Sequence, residues 1–208
     1  MKSNTLSWHE KNTISRLINA FSDNHLVVGT SDTVLGFLAP LTQLGFLALN
    51  RLKGRQEKPY IILVGNRDAL GSLVEIKSLQ IEKLIGCWPA PLTLIFKAKE
   101  SVPAYMKSKD GTIAIRMPNH AGLLSLLQQV PGLFSTSANK AGQPVPLSIQ
   151  DLDPEIIAAV DYLVVDEQAE SSTLPSTILD CTGEQIKLVR EGAYSLEQLE
   201  AAGITIMK

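Results

Sequence analysis

The sequence is poor in the residues that build disulfide, metal and base-stacking sites. Its two cysteines form no CxxC pair and its three histidines lie far apart, so neither a disulfide framework nor a histidine–cysteine metal site is expected. Aromatic residues make up 5% of the chain, which argues against a series of stacking rings for nucleic-acid bases. The absence of a GxxxxGK[ST] motif argues against a P-loop nucleotide site.

Long apolar runs are missing as well. No apolar stretch approaches the roughly 18 residues that a membrane-spanning helix needs. The N-terminal MKSNTLSWHEKN lacks the apolar core of a signal peptide. Apolar residues nevertheless make up 45% of the 208 residues, which is enough for a full hydrophobic core. We therefore expect one compact domain over residues 1–208, in a reducing cytoplasm and without membrane association.

Charge is unevenly distributed along the chain. The net charge is −2, but residues 141–186 hold nine acids and no Lys or Arg, whereas residues 1–140 hold 16 bases and 9 acids. A basic part beside an acidic stretch favours an anionic ligand on one part of the molecule. Ordinary fluctuation of charge along a chain explains the same pattern equally well.

Apolar periodicity predicts alternating helices and strands. Helical spacing predicts helices at 9–22, 42–52, 68–86 (as two short helices), 120–129, 148–160 and 195–202. Short apolar runs predict strands at 26–28, 60–64, 92–96, 111–117, 133–134, 162–165, 177–179 and 186–189. This alternation indicates an α/β fold with a mixed sheet flanked by helices.

Two polar loops are candidate binding sites. The basic loop 51–58 (RLKGRQEK) contains Lys53, Arg55 and Lys58, and Lys beside Arg is a usual pairing for phosphate oxygens. A solvated basic turn is the alternative. The segment 135–139 (STSAN) follows an apolar strand, and its hydroxyl and amide groups suit a sugar, a phosphate or the water of a metal ion. An ordinary connection with local hydrogen bonds is the alternative there.

Arg116 is the third candidate, because it ends the apolar strand TIAIR. A charged side chain in that position needs a partner or a place at the rim of the fold. A carboxylate ligand and a structural acid would satisfy it equally. His120 follows Pro118-Asn119 and is interpreted as a helix start without assigned chemistry.

Seven motifs in order resemble the YrdC family of threonylcarbamoyl-AMP synthases, whose bacterial single-domain members are called TsaC. The resemblance runs from Val28 to Val189 and rests on Thr30 to Gly36 (TSDTVLG), Lys53-Gly54-Arg55, Trp88 to Thr93 (WPAPLT), Thr112 to Pro118 (TIAIRMP), Ser135 to Asn139, Pro175-Ser176-Thr177 and Arg190-Glu191-Gly192. Any one of these motifs is weak, but seven in the right order are highly specific.

The resemblance implies a twisted mixed α/β sheet with a basic concave face. It implies a reaction in which L-threonine and bicarbonate form a carbamate that attacks the α-phosphorus of ATP and releases pyrophosphate, for threonylcarbamoyladenosine formation in tRNA. The residues implied to bind ATP are Lys53, Arg55, Lys58, Thr112, Ser137, Asn139 and Arg190, with Lys53, Arg55, Ser137 and Asn139 as the catalytic set. The residues implied to bind threonine are Ser31, Arg116, Ser135 and Ser176, with Arg116 on the carboxylate.

The implied cofactor is Mg²⁺ carried with ATP, without direct protein ligation. The tRNA threonylcarbamoyl transferase machinery is implied as the recipient of the product, and tRNA or double-stranded RNA is a further candidate partner. The chain departs from the family pattern at Thr30, Ser31, Leu35, Leu38 and Ala90, and its basic loop is one residue short before Lys58. These departures cluster around the expected threonine pocket. The alternatives are a YrdC-like RNA-binding or regulatory protein without synthase activity, and a synthase for another amino acid or nucleotide.

Overall fold

The fold is a single ten-stranded sheet with helices packed against it. The computed structural model describes residues 4–54, 59–76, 78–167 and 173–206. The strands are β1 (Thr5–Ser7), β2 (Val27–Gly29), β3 (Gly36–Pro40), β4 (Ile61–Leu63), β5 (Leu92–Lys97), β6 (Thr112–Arg116), β7 (Leu133–Ser137), β8 (Tyr162–Val165), β9 (Thr177–Asp180) and β10 (Lys187–Arg190). The helices are α1 (Thr13–Ser22), α2 (Gln43–Lys53), α3 (Leu70–Leu73), α4 (Leu79–Gly86), α5 (Ala121–Leu127), α6 (Pro154–Ala159) and α7 (Leu196–Ala201), and short 3-10 turns lie at Ala104–Met106 and Ile149–Asp151.

The sheet mixes parallel and antiparallel strands, as the sequence predicts. Its order is β1-β8-β2-β3-β7-β4-β6-β5-β9-β10. The pairs β1–β8, β2–β8, β4–β6 and β5–β9 are parallel, and the other five pairs are antiparallel. Strands distant in sequence are therefore neighbours, and β7 lies between β3 and β4 at the centre of the sheet.

The two faces of the sheet are covered differently. One face is covered by the larger hydrophobic core. Its buried residues include Phe37, Phe134, Ile62, Ile113 and Ile115. On the other face α1 and α5 cover only part of the sheet, through a smaller core around Leu17, Leu123 and Leu126. Side chains alternate between faces along a strand, so each strand contributes to both surfaces.

The uncovered part of the second face carries the polar side chains that the sequence singled out. Cross-strand pairing places Ile61, Ala114, Ile95 and Ser135 side by side on this face, and the alternation adds Thr112, Arg116 and Ser137 to the same side. Ile61, Ile95 and Ala114 are only half-buried. We call this surface, defined by Ile61, Ile95, Thr112, Ala114, Ser135 and Ser137, the open face.

Several predicted boundaries were wrong. The strand β3 was not predicted, because its sequence GFLAP holds a Gly and a Pro that normally signal a loop, and both its faces are buried. Ser135, Thr136 and Ser137 belong to β7 rather than to a loop, since β3 and β4 pair with that strand on both sides. The predicted helix at 148–160 is a 3-10 turn followed by the short α6, which begins at Asp153-Pro154. The short strand β1 was also missed.

Some expectations agree with the structure. The stretch 68–86 forms the two helices α3 and α4, and Ser78 caps the second of them. His120 is the N-cap of α5, since its Nδ1 atom accepts a hydrogen bond from the backbone N–H of Leu123. Among the described helices, none combines the length and the apolarity that crossing a bilayer would require.

Trp8 packs against the first turn of α5, and this contact yields a stability prediction. A Cβ atom added at Gly122 would lie 2.8–2.9 Å from atoms of the Trp8 side chain, whereas a Cβ at Gly86, the last residue of α4, would meet nothing within 4 Å. Overpacking costs about 1–3 kcal/mol, and Ala in place of a helical Gly returns about 0.5–1 kcal/mol.

Gly122→Ala should therefore lower the free energy of unfolding, and the matched control Gly86→Ala should leave it unchanged or raise it. Denaturant titration of both variants measures the difference. Equal free energies of unfolding for the two variants would contradict the packing of Trp8 against α5.

Candidate anion-binding site

A short loop reaches over the sheet to Arg116. We call residues 30–35, which join β2 to β3, the entry loop. Within it, the Ser31 hydroxyl lies 3.1 Å from the Thr33 hydroxyl and accepts a hydrogen bond from the Thr33 backbone N–H. The entry loop is fastened to β7 at its end, because the Ala138 N–H donates to the Leu35 carbonyl. The small polar residues of this segment thus form an internally bonded turn.

Arg116 is buried under the entry loop, with 4% of its surface exposed. Its Nη1 donates to the Thr33 hydroxyl at 2.9 Å and lies 3.4 Å from the Asp32 carboxylate. Burial lowers the pKa of Arg116, and the charge of Asp32 acts in the opposite direction. The guanidinium remains protonated at neutral pH, because its intrinsic pKa is so high. A structural acid therefore partners Arg116, which was one of the two alternatives that the sequence left open.

The partnering of this ion pair is incomplete. Among the described residues, neither the Arg116 Nε nor the Asp32 Oδ1 has a hydrogen-bond partner, although both atoms are buried. Unpartnered buried polar atoms are uncommon, and each one calls for an explanation such as a ligand or a water molecule. A carboxylate or phosphate oxygen is the acceptor that a free guanidinium N–H would prefer.

Lys53 is the second buried cation, with 4% of its surface exposed at the end of α2. Its ammonium group donates to the carbonyls of Ser137 and Asn139 and, at 2.9 Å, to the Oδ1 atom of Asn139. The Ser137 hydroxyl donates to the same Oδ1 atom at 2.6 Å. The predicted residues Lys53, Ser137 and Asn139 are therefore in direct contact, and the ammonium group holds the end of β7 in position.

Arg190 and Ser176 lie at the other end of the strands. The Arg190 guanidinium donates to the Ser176 carbonyl from Nε at 3.1 Å and from Nη2 at 2.8 Å, and the Ser176 hydroxyl lies 2.8 Å from the hydroxyl of Thr93. Burial and then the positive charge of Arg116 lower the pKa of Arg190. The two guanidinium groups are therefore close enough to repel, and an anion between them would relieve that repulsion.

The remaining predicted residues lie on the open face. Ser135 is nearly buried at the middle of β7, opposite Ile61. Thr112 begins β6, with its hydroxyl 2.7 Å from that of Ser108. Because Thr112 and Arg116 are four residues apart on one strand, about 13 Å separates them. The open face thus joins two cationic ends, one at Arg116 and Arg190 and the other at Lys53.

Arg55 and Lys58 lie outside the described residues, so their predicted roles stay predictions. No group of three or more His, Cys, Asp or Glu side chains among residues that the structure describes is arranged to hold a metal ion. Asp32, Thr33 and Thr93 had no role in the sequence-based site. The signal was available for all three, since Asp32 and Thr33 belong to the motif TSDTVLG and Thr93 ends the motif WPAPLT, but only the structure shows which groups they contact.

These elements define an α/β domain whose partly apolar sheet face lies between buried cationic side chains. The chain belongs to the Sua5/YciO/YrdC family, whose model, described as "Telomere recombination", matches residues 19–192. The family resemblance seen in the sequence motifs is thereby confirmed.

Proteins with similar sequences are named as threonylcarbamoyl-AMP synthases. A putative threonylcarbamoyl-AMP synthase of Methanocaldococcus jannaschii is 30% identical over 176 residues, which cover 84% of this chain and 83% of that protein. A threonylcarbamoyl-AMP synthase of Pseudoalteromonas translucida is 28% identical over 183 residues, which cover 85% of this chain and 97% of that protein.

Solved structures share the fold. The P. abyssi Sua5 structure complexed with L-threonine matches with a TM-score of 0.85 at 27% identity, covering 98% of this chain but 62% of that longer chain. E. coli YciO matches with a TM-score of 0.81 at 16% identity, covering 94% of this chain and 97% of that one, and supports the fold alone.

The hydrogen bonds of Lys53 predict a structural effect of its loss. Lys53→Met keeps an apolar stem but leaves two carbonyls and the Asn139 amide oxygen without their charged donor. Hydrogen bonds to charged groups contribute about 1.5–3 kcal/mol, so the free energy of unfolding should fall by about that amount.

The exposed neighbour Arg51 provides the control, because substitutions of exposed residues away from special features usually change stability by less than about 0.5 kcal/mol. Denaturant titration compares Lys53→Met with Arg51→Met. A Lys53→Met protein as stable as the control would show that the ammonium group does not hold the end of β7.

Proposed function

We propose that this chain is an L-threonylcarbamoyladenylate synthase, which condenses L-threonine, bicarbonate and ATP to threonylcarbamoyl-AMP and pyrophosphate. The observation that carries the proposal is the buried Arg116, with an unpartnered Nε atom beside a second guanidinium. Relatives at about 30% identity are named for this synthase, and a Sua5 structure similar to this fold holds L-threonine.

The amino acid binds at the Arg116 end in this proposal. A guanidinium matches a carboxylate with two parallel N–H groups, and burial strengthens such a pair. The hydroxyls of Ser31, Ser135 and Ser176 would then orient the remaining polar groups of threonine. Ile61, Ile95 and Ala114 offer a half-buried apolar surface for its methyl group.

The proposed reaction has two steps. The amine of threonine attacks the carbon of bicarbonate, and loss of water gives a carbamate. A carbamate oxygen then attacks the α-phosphorus of ATP, the bond to the bridging oxygen breaks, and pyrophosphate leaves. Phosphoryl chemistry mainly requires positioning and positive charge at the developing oxyanions. Arg116 and Arg190 supply positive charge where the carbamate meets the phosphate.

The nucleotide extends toward the Lys53 end. Ser137, Asn139 and Thr112 present hydroxyl and amide groups there, and Arg55 and Lys58 remain proposed phosphate ligands. Because the three donors of Lys53 already hold the end of β7, its contribution is to fix Ser137 and Asn139 and to add positive charge. Lys53 therefore acts mainly as a positioning residue in this proposal.

Magnesium would accompany the triphosphate. Hydroxyl and amide oxygens suit the water shell of Mg²⁺, which gives up its water reluctantly. The Asn139 Oδ1 atom already accepts from the Lys53 ammonium group, so a cation bound directly to that oxygen would face a positive charge at close range. Ser137 and Asn139 would thus meet the ion through water, and the ion would neutralise phosphate charge.

The synthase proposal predicts the effect of a charge-conserving change. Arg116→Lys keeps the positive charge but loses the planar pair of donors, so the apparent KM for threonine should rise about tenfold or more, with the KM for ATP little changed. Pyrophosphate release measured against threonine concentration tests this. Arg16→Lys is the matched control, because Arg16 lies over the Tyr162 ring of β8, five strand positions from β6. A threonine KM unaltered by Arg116→Lys would remove Arg116 from the site.

The same variant separates the synthase from an RNA-binding protein without activity. A nucleic-acid surface depends on the number of cations, which Arg116→Lys preserves, so tRNA affinity and its salt slope should not change. Pyrophosphate formation that requires threonine, bicarbonate and ATP together would support the synthase. Tight tRNA binding without such formation would favour the RNA-binding alternative.

Amino-acid selectivity is a further consequence of the entry loop, where Ser31 and Leu35 replace the family Thr and Tyr. A single methyl group provides about 1–3 kcal/mol of discrimination, so serine should compete with threonine and remain the weaker substrate. A competition assay across amino acids measures the ratio of kcat/KM values. Turnover of another amino acid without turnover of threonine would show that the substrate assignment is wrong.

A further inference from the structure

His120 lies behind the Arg116 site and has no part in the proposed reaction. Its side chain is buried, with 7% of the residue exposed. The Nδ1 atom accepts the Leu123 N–H at 3.1 Å, so it carries no proton. In a neutral imidazole the proton must then be on Nε2. The capping contact therefore fixes both the charge and the tautomer of this ring.

Acidic groups lie on two sides of the ring. The Nε2 atom is 3.3 Å from Oδ2 of Asp166, at the end of β8, without the alignment of a hydrogen bond. The other oxygen of Asp166 is 2.8 Å from Nε2 of His9. Burial lowers the pKa of His120, the charges of Asp166 and Asp32 oppose that effect, and His9 adds to it. Among the described residues, Asp166, Asp32 and His9 are thus the titratable groups whose charges act on the ring, with Arg116 beyond Asp32.

The residues next to His120 hold the entry loop at two points. The backbone N–H of Asn119 donates to Oδ2 of Asp32 at 2.8 Å, while Oδ1 of Asp32 lies 3.4 Å from Arg116. The indole N–H of Trp8 donates to the Thr30 hydroxyl at 3.1 Å, and the Trp8 ring meets the imidazole edge-on, with 5.3 Å between ring centroids. The ring of His120 therefore contacts Trp8, which supports Thr30, and its backbone directly follows Asn119, which supports Asp32.

We propose that His120 is a positioning residue that holds the entry loop on Arg116 while its ring is neutral, and that its protonation loosens the loop. A proton on Nδ1 removes the acceptor that caps α5. A cationic ring between Asp166 and Asp32 also competes with Arg116 for the Asp32 carboxylate. Both effects move Asp32 and Thr33 away from the guanidinium, which weakens the binding of an amino-acid carboxylate. The ligand in this inference rests on the proposed function.

The direction of the pH dependence follows from burial. Because the pKa of His120 lies below the ordinary value of 6.5, the folded protein binds this proton less readily than the unfolded chain. The stability that the neutral ring contributes is therefore fully present above pH 6.5, and it is lost progressively as the pH falls from 6.5 toward the lower pKa of the folded protein. We accordingly expect the change in the entry loop below pH 6.5 and none between pH 7 and 8.

Two variants separate the two nitrogen atoms of the ring. His120→Asn keeps an acceptor near the Nδ1 position, so α5 stays capped, but it does not titrate. His120→Gln places an amide N–H near the Nε2 position and loses the cap. His25→Asn is the matched control, because His25 precedes β2 and lies outside this cluster. If His120→Gln fails to fold, the measurements below can be made with His120→Asn alone.

The first measurement is the KM for threonine from pH 8 down to the lowest pH at which the protein stays folded. In wild type and in His25→Asn we expect it to rise severalfold below pH 6.5, with the KM for ATP unaffected. In His120→Asn the rise should be absent. The same rise in His120→Asn, or a flat profile in wild type, would overturn the proposal.

The second measurement does not depend on catalysis. Trp88→Phe leaves Trp8 as the one tryptophan of the chain, and its fluorescence reports the charge of the adjacent imidazole. We expect a fluorescence step below pH 6.5 that disappears when His120→Asn is added, and its persistence would overturn the proposal. If the step behaves as expected but threonine is not turned over at any pH, the proposed function fails and the assignment of His120 stands.

Discussion

The burial of the Arg116 guanidinium is the constraint on which the site depends. A charge removed from water is tolerated only when oppositely charged and hydrogen-bonding groups surround it. Asp32 and Thr33 provide this compensation from the entry loop, and the Asn119 N–H fixes Asp32 in turn. The strand end, the entry loop and the start of α5 are therefore coupled through one side chain. One nitrogen of the guanidinium, Nε, stays without a hydrogen-bond partner among the described residues.

Lys53 illustrates the same principle at the other end of the open face. Its ammonium group ties the end of α2 to the last residues of β7, and it does so through the residues that the family resemblance assigns to the nucleotide. A cation in such a place organises neighbouring polar groups before any ligand arrives. Prepositioned dipoles and charges are more effective than groups that must rearrange during the reaction. The two buried cations thus connect the stability of the fold to the proposed chemistry.

The sequence predicts the parts of this structure in which local pattern and tertiary packing agree. The strand β6 was predicted because Ile113 and Ile115 alternate with residues of the open face, and His120 was recognised as a helix start. The strand β3 was not predicted from the sequence because Gly36 and Pro40 favour turns. Only the pairing with β2 and β7 makes this segment a strand. Ser135 to Ser137 were assigned to a loop for a similar reason, since hydroxyl-rich residues form local hydrogen bonds in isolation.

The sequence predicted which residues belong to the candidate site, but it did not predict how those residues are arranged in space. The motifs brought Arg116, Ser137, Asn139 and Ser176 into the candidate list, but sequence spacing could not reveal that Lys53 is buried. It also could not reveal that Arg190, which lies beside Ser176, is near Arg116, because β5 joins β6 to the β9–β10 pair only through the long-range pairing of β5 with β9. Such contacts depend on the register of the whole sheet.

The central claim is that Arg116 binds the carboxylate of an amino acid, and changing the ligand tests it most directly. Calorimetric titration of the wild-type protein with L-threonine and with L-threoninamide, in the presence of Mg²⁺ and a non-hydrolysable ATP analogue, compares ligands that differ at the carboxylate. Loss of a charged hydrogen-bond pair costs about 1.5–3 kcal/mol, so the amide should bind at least about tenfold more weakly. Equal affinities for the two ligands would contradict the account.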